Sequence, residues 1–150
     1  MGSWCWNHVG IPNEETLYRK IKPIKEMCTW DPVRGSYVPT PGALRRQAYE
    51  GLSTHAKSIL DDLGRNETTL YDQNLYSAIA FTVGVVRSTP GVEVGVIFIE
   101  ADEKQEKDED LRRAHAEVRP KAPEKNRQTW SEVVHQIVQN HEWIPQQRGI

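Results

Sequence analysis

Cysteine is almost absent from this sequence of 150 residues, which contains only Cys5 and Cys28. Two cysteines are too few for a disulfide framework. The first residues, MGSWCW, also lack the basic and apolar regions of a secretory signal peptide. These absences predict a protein of the reducing cytoplasm.

An excess of basic residues is absent as well, because 19 lysines and arginines stand against 21 acidic residues and the formal net charge is −2. General nucleic-acid-binding proteins usually carry a clear basic excess, so this class is disfavoured. No apolar stretch approaches the roughly 20 residues that a membrane-spanning helix needs. We therefore expect neither a nucleic acid nor a membrane as partner, and the oligomeric state is left open.

Familiar catalytic and metal-binding motifs are missing too. The sequence contains no phosphate-binding glycine loop, no nucleophile elbow and no zinc-protease helix signature. Cys5 and His8 form one compact pair of zinc-ligand types, which Cys28 and His55 would have to complete. Structural zinc sites normally show two compact pairs, so we predict no metal site.

Two apolar runs rich in β-branched residues are the strongest feature that the sequence does contain. They occupy residues 78–86 (AIAFTVGVV) and 92–99 (VEVGVIFI), with only five residues between them. Such runs are typical of strands, and their closeness predicts a strand pair that anchors the core. Alternation of apolar and polar residues predicts two further strands, at 17–21 and 114–118.

Three helices are predicted from capping residues and apolar periodicity. Thr40 and the proline after it start a helix over 41–50, and Thr54 caps a second helix that ends at Gly64. Thr129-x-x-Glu132 forms a capping box for the last helix, whose apolar face comprises Trp130, Val133, Val134, Ile137 and Val138.

Residues 100–110 hold seven acids and two lysines, which predicts a charged, mobile loop over 100–113. Taken together, these patterns predict one α+β domain over residues 1–150, with a small, mainly antiparallel sheet and about three packed helices.

Four titratable residues are candidates for chemistry. His115 and Glu117 lie two apart in a predicted strand and so share a face, where they could transfer a proton or stabilise a cation. Arg19 shares a strand face with the apolar Leu17 and Ile21, and a buried arginine needs an anionic partner or ligand. A purely structural pairing of Arg19 with Glu117 is the alternative. Arg87, at the end of the first long apolar run, would likewise need an anionic partner or a ligand if it is buried.

Five short segments, in this order, resemble a family of small uncharacterised bacterial proteins: LYRKI at 17–21, PTPGAL at 39–44, LS at 52–53, FTVGVVR at 81–87 and AHAEV at 114–118. The similarity spans residues 17–144. The chain departs from the family pattern at Thr40 and Leu44 and in its acidic insertion before AHAEV. The resemblance implies an intact bacterial domain and no particular activity.

The order of Arg19, Ser53 (or Thr54) and Glu117 also resembles ADP-ribosyltransferase folds, including the RES-type enzymes that consume NAD. That resemblance implies that the arginine holds an NAD phosphate and the serine orders the site. The glutamate would stabilise the oxocarbenium ion formed as nicotinamide leaves.

Two functional hypotheses follow. The first is an accessory protein that binds a protein partner and needs no cofactor, with tryptophans near the chain ends (Trp4, Trp6 and Trp143) contributing to the binding surface. The alternative is a nucleotide-handling enzyme, directed at NAD, with Arg19, Ser53, His115 and Glu117 as catalytic residues and Arg19 and Arg87 as ligand-binding residues. The second hypothesis requires these side chains to converge.

Overall fold

The computed structural model describes residues 4–72, 74–124 and 126–146. Its main element is a six-stranded sheet in the order β6-β7-β4-β1-β5-β8, in which every described pairing is antiparallel. The strands are β1 (Thr16–Ile21), β4 (Leu52–Ala56), β5 (Ser77–Thr82), β6 (Val94–Phe98), β7 (His115–Pro120) and β8 (Glu142–Ile144). A separate hairpin is formed by β2 (Cys28–Asp31) and β3 (Ser36–Pro39).

The helices within the described residues are short except for the last. They are α1 (Lys57–Asp62), α2 (Val83–Arg87), α3 (Glu109–Ala114) and α4 (Arg127–Asn140), and a turn of 3-10 helix spans Pro41–Leu44. Helix and antiparallel sheet together confirm the predicted α+β class. No helix in these parts of the chain has the length and apolar content that crossing a bilayer demands.

The sheet carries apolar residues on both faces. On one face, Leu17, Ile21 and Leu52 pack with residues of α2 and α4; we call this the α4 face. On the other, Tyr18 packs with Leu60 and Leu111, which belong to α1 and α3; we call this the α3 face. Because side chains alternate along a strand, this assignment places every strand residue on one of the two faces.

The predicted strand over 78–86 is wrong in its second half. The chain leaves the sheet at Thr82, whose hydroxyl accepts a hydrogen bond from the N–H of Val85 (3.2 Å) and so caps α2. The predicted pairing of the two apolar runs is also wrong. In the sheet order, β5 and β6 are separated by β7, β4 and β1. The α2 segment between them carries the chain across the sheet.

The helix predicted over 41–50 is wrong beyond Leu44. Arg45 is extended, with φ −73° and ψ 149°. Tyr49 takes a left-handed conformation with φ 63°, and its N–H donates to the carbonyl of Pro123 (2.8 Å). The side chain of Arg46 donates to the carbonyl of Glu50 (2.8 Å), so this segment is held by contacts that a helix would not allow.

Thr54 does not cap α1, because it lies within β4 and its hydroxyl donates to the carbonyl of Ala116 (3.0 Å). The carboxylate of Glu15 accepts instead from the N–H and hydroxyl of Ser58, in the first turn of α1. The predicted glycine ending is confirmed: Gly64 has φ 78°. Glycine adopts this conformation without the steric penalty of a Cβ.

The last helix begins earlier than its predicted capping box. Asn126 is the cap, and its side-chain oxygen accepts from the N–H of Thr129 (3.0 Å). The predicted apolar face is confirmed, since Val133, Val134 and Ile137 are buried. Part of the predicted acidic loop is also helical. Asp108 caps α3, and Arg65 bridges Asp108 (2.9 Å) and Asp110 (3.3 Å).

Candidate functional site

A gap between the central strands β1 and β4 forms the centre of the candidate site. Their pairing ends at Tyr18 opposite His55, although β1 continues to Ile21 and β4 begins at Leu52. The guanidinium of Arg19 occupies the position where further pairing would occur. Its Nη1 donates to the carbonyl of Ser53 (2.8 Å), and its Nε donates to the carbonyl of Ala43 (2.8 Å).

Arg19 is a cation whose hydrogen-bond partners are neutral. By strand alternation it shares the α4 face with Leu17 and Ile21, as predicted. Among the described residues it has no carboxylate within 4.0 Å, so the structural pairing with Glu117 does not occur. Burial lowers the pKa of Arg19, which reflects the cost of keeping this charge away from water.

Ser53 and His115 form a hydrogen-bonded pair on the α3 face. β4 and β7 align Ser53 with Glu117 and His55 with His115. Nδ1 of His115 lies 2.8 Å from the carbonyl of Ile99, which can only accept, so this nitrogen carries the proton. In the neutral ring, Nε2 is then an acceptor, and it lies 3.2 Å from the hydroxyl of Ser53.

Glu117 lies beside this pair, with its two carboxylate oxygens in different surroundings. Its Oε1 accepts from the main-chain N–H of Gly51 (3.2 Å) and from Nε of Arg119 (3.0 Å). Its Oε2 lies 4.0 Å from Nε2 of His115. The Glu117 side chain is 15% exposed, against 4% for that of His115.

His55, Tyr71 and Lys20 extend the polar row on the same face. Nδ1 of His55 is 2.6 Å from the hydroxyl of Tyr71, which also lies 3.3 Å from the carbonyl of Tyr18. Burial lowers the pKa of His55 to about 3, with further lowering from His115, Lys20 and Arg19. The ammonium of Lys20 lies 4.6 Å from the centre of the Tyr76 ring.

Sequence analysis assigned none of these three a role at the site. A strand assignment for 52–56 would have placed His55 beside Ser53, because residues two apart share a face. Tyr71 has no comparable signal, since it comes from a loop.

Arg87 is not part of this cluster. Its three guanidinium nitrogens are all engaged by the segment before β1. Nε donates to the side chain of Asn7 (3.1 Å), Nη1 to the carbonyl of Ile11 (2.6 Å), and Nη2 to the carbonyl of His8 (2.8 Å). Of the predicted site residues, Ser53, His115 and Glu117 therefore come together through their side chains on the α3 face. Arg19 lies on the α4 face and reaches the main-chain carbonyl of Ser53 through the gap between β1 and β4.

Tryptophans near the chain ends pack against the body of the protein. Trp4 lies 4.2 Å from the guanidinium carbon of Arg119 and donates its indole N–H to the carbonyl of Pro120 (2.8 Å). Trp143 stacks at a tilt on Tyr37, with ring centres 6.0 Å apart. Of the tryptophans, Trp30 in the hairpin is the exposed one, at 54%.

Within the residues that the structure covers, no group of three or more His, Cys, Asp or Glu side chains is arranged to hold a metal ion. Comparison of the chain with protein-family models, with curated proteins and with solved structures finds no significant match.

Proposed function

We propose that this protein is an enzyme that cleaves NAD and transfers its ADP-ribosyl group, as the resemblance to ADP-ribosyltransferase folds implies. One observation carries the proposal: Ser53 is the common contact of the cluster. Its carbonyl accepts from Arg19 (2.8 Å), and its hydroxyl lies 3.2 Å from His115 Nε2, which is 4.0 Å from a carboxylate oxygen of Glu117.

Arg19 supports the binding of an anionic substrate. A guanidinium has five N–H donors, and two of its nitrogens each donate to one carbonyl in this structure. The remaining N–H donors suit the oxygens of a pyrophosphate, which would be the anionic partner of the Arg19 guanidinium. Lys20, the next residue of β1, lies on the opposite α3 face and adds a second positive charge there, close enough to His55 to lower its pKa.

Glu117 and His115 support the bond-breaking step. As the bond between the ribose C1′ and the nicotinamide nitrogen breaks, nicotinamide leaves with the electron pair and the ribose becomes an oxocarbenium ion. The negative charge of the Glu117 carboxylate stabilises that cation. An acceptor hydroxyl or a water then attacks C1′, and its proton passes to Nε2 of His115.

A nicotinamide-release assay tests the proposal. We expect the wild-type protein to release nicotinamide from NAD, and Glu117→Gln and Ser53→Ala to lose most of the rate. Glu93→Gln and Ser131→Ala are matched controls, because both residues lie outside the cluster, and they should keep the wild-type rate. NAD at 100 times its Kd should also stabilise the wild-type fold by about 2.7 kcal/mol.

The accessory-protein hypothesis makes the opposite prediction. It draws less support from the tryptophans than expected, because Trp4 and Trp143 pack inward. No nicotinamide release and no thermal shift with NAD would overturn the enzyme proposal and leave partner binding as the remaining hypothesis.

A further inference from the structure

A groove of about 970 Å³ lies between residues 39–47 and the side of α4. Three arginines line it, Arg45, Arg46 and Arg127, against a single carboxylate, that of Glu132. None of the three arginines forms an ion pair within 4.0 Å among the described residues. The groove is therefore locally cationic on a chain whose net charge is −2.

Arg46 is a fixed part of the wall of the groove. It is 7% exposed, and its guanidinium donates to the carbonyls of Glu50 (2.8 Å), Pro123 (2.7 Å) and Glu124 (3.2 Å). These acceptors are neutral carbonyl groups, so they orient the cation without neutralising it. Arg45 and Arg127 are exposed and free to contact a ligand.

The rest of the groove has a different chemistry. Pro39, Val134 and Val138 contribute an apolar part, which lies towards the C-terminal half of α4. From Asn126 to Val138 the helix rises by about 18 Å, at roughly 1.5 Å per residue. An extended peptide of about five or six residues has this length, at about 3.3 Å per residue.

We propose that this groove binds an extended acidic segment of a protein partner. Carboxylates of that segment contact Arg45 and Arg127, and apolar side chains next to them cover Val134 and Val138. Charge complementarity determines this choice, because three arginines line the groove against the single carboxylate of Glu132. None of the three forms an ion pair within 4.0 Å in the described part of the chain, although Glu124 lies close enough to Arg46 to favour its charged form. The proposal does not depend on the NAD-cleaving function.

A nucleic acid suits the groove less well. Single strands bind through aromatic rings on which bases stack. The ring in this groove, Trp130, is half-buried, donates its N–H to the carbonyl of Leu44 (2.7 Å) and has the Arg46 guanidinium 5.6 Å from its centre. The chain also lacks the basic excess of a nucleic-acid-binding protein.

Fluorescence anisotropy tests the proposal with a labelled, end-capped peptide of four glutamates and two leucines. We expect saturable binding that weakens as salt is added, since exposed charges are screened. Arg45→Glu combined with Arg127→Glu should weaken binding by at least about tenfold. Lys22→Glu combined with Lys25→Glu makes the same change in net charge at exposed sites outside the groove and should leave binding unchanged.

Three outcomes would overturn the proposal. One is equal binding by the arginine variant and the wild type, with folding of both checked by circular dichroism. Another is equal binding of a peptide in which lysines replace the glutamates. The third is tighter binding of a hexathymidylate strand than of the acidic peptide, which would assign the groove to single-stranded nucleic acid.

Discussion

The main-chain N–H of Gly51 donates to Oε1 of Glu117 across 3.2 Å, and the two residues are too close for a side chain at position 51. A Cβ there would lie 2.7 Å from both the Cβ and Oε1 of Glu117. The position of the Glu117 carboxylate therefore depends on the absence of a side chain at the residue just before β4.

Gly51→Ala should displace Glu117 and destabilise the fold. Relieving such an overlap typically costs about 1–3 kcal/mol, measurable by urea denaturation. The rate of nicotinamide release should fall as well, because even small displacements of a reacting group can reduce rates by about a hundredfold. Gly10→Ala is the control, since nothing lies within 4 Å of a Cβ at that position. Unchanged stability of Gly51→Ala would contradict the close contact.

His55 should make the protein less stable as the pH falls. Its pKa is lowered to about 3 in the folded protein, whereas the unfolded chain binds a proton near pH 6.5. The stability from a neutral His55 is thus complete above about pH 6.5 and is lost as the pH drops towards 3. The expected loss is about 1.4 kcal/mol per pH unit over this window.

His55→Gln tests this by removing the titrating group while keeping a partner for Tyr71. The free energy of unfolding, measured by urea at several pH values, should then change less steeply with pH. His135→Gln, at an exposed position on α4, should keep the wild-type slope. Equal slopes for wild type and His55→Gln would refute the prediction.

The ionised carboxylate of Asp108 should stabilise the fold at neutral pH, and this contribution should be lost at acidic pH. Burial raises its pKa, but hydrogen bonds from Arg65 and from the N–H of Leu111 lower it by more, so that it ends below the usual 3.8. A lowered carboxyl pKa gives stability that is present above the unfolded pKa and disappears as the pH falls through the folded value.

Asp108→Asn keeps a helix-capping side chain and removes the charge. We expect it to destabilise the protein at pH 7 by less than about 1 kcal/mol, because the side chain is 37% exposed and solvent screens the pair. The difference from wild type should shrink as the pH falls through the lowered pKa of Asp108 in the folded protein. A difference that does not shrink would mean that the charge is not the cause.

Arg87 should act as an anchor for the segment before β1. Arg87→Ala removes hydrogen bonds to Asn7, His8, Ile11 and Asn13 and should destabilise the protein by more than about 2 kcal/mol. Hydrogen exchange should become faster at residues 7–13. Arg113→Ala removes only an exposed pair with Glu109, worth about 0.3–0.5 kcal/mol, and should leave that segment protected. Unchanged exchange in Arg87→Ala would contradict the anchoring role.

Local patterns predicted the elements whose signal lies within a few residues. The alternation at 17–21 and 114–118 gave β1 and β7, and the apolar periodicity after residue 129 gave the buried face of α4. The prediction of one strand over 78–86 was wrong because a strand buried on both faces and a buried helix are equally apolar. Only the hydroxyl of Thr82, which caps α2, distinguishes the two halves.

The pairing of strands could not be predicted in the same way. Proximity in sequence favoured β5 beside β6, yet α2 carries the chain across the sheet between them. For the candidate site, alternation placed His115 and Glu117 on one face. Their alignment with Ser53 depends on the register between β4 and β7, which joins residues 60 or more positions apart and leaves no local signal.

The same register determines when the cluster can first exist. Its members come from β1, β4 and β7, so a growing chain that ends before His115 holds Arg19 and Ser53 without the imidazole or the carboxylate. During synthesis, the cluster therefore cannot form until Glu117 has been made and β7 pairs with β4. A fragment of this chain that stops before His115 would lack the cluster, whatever its own stability.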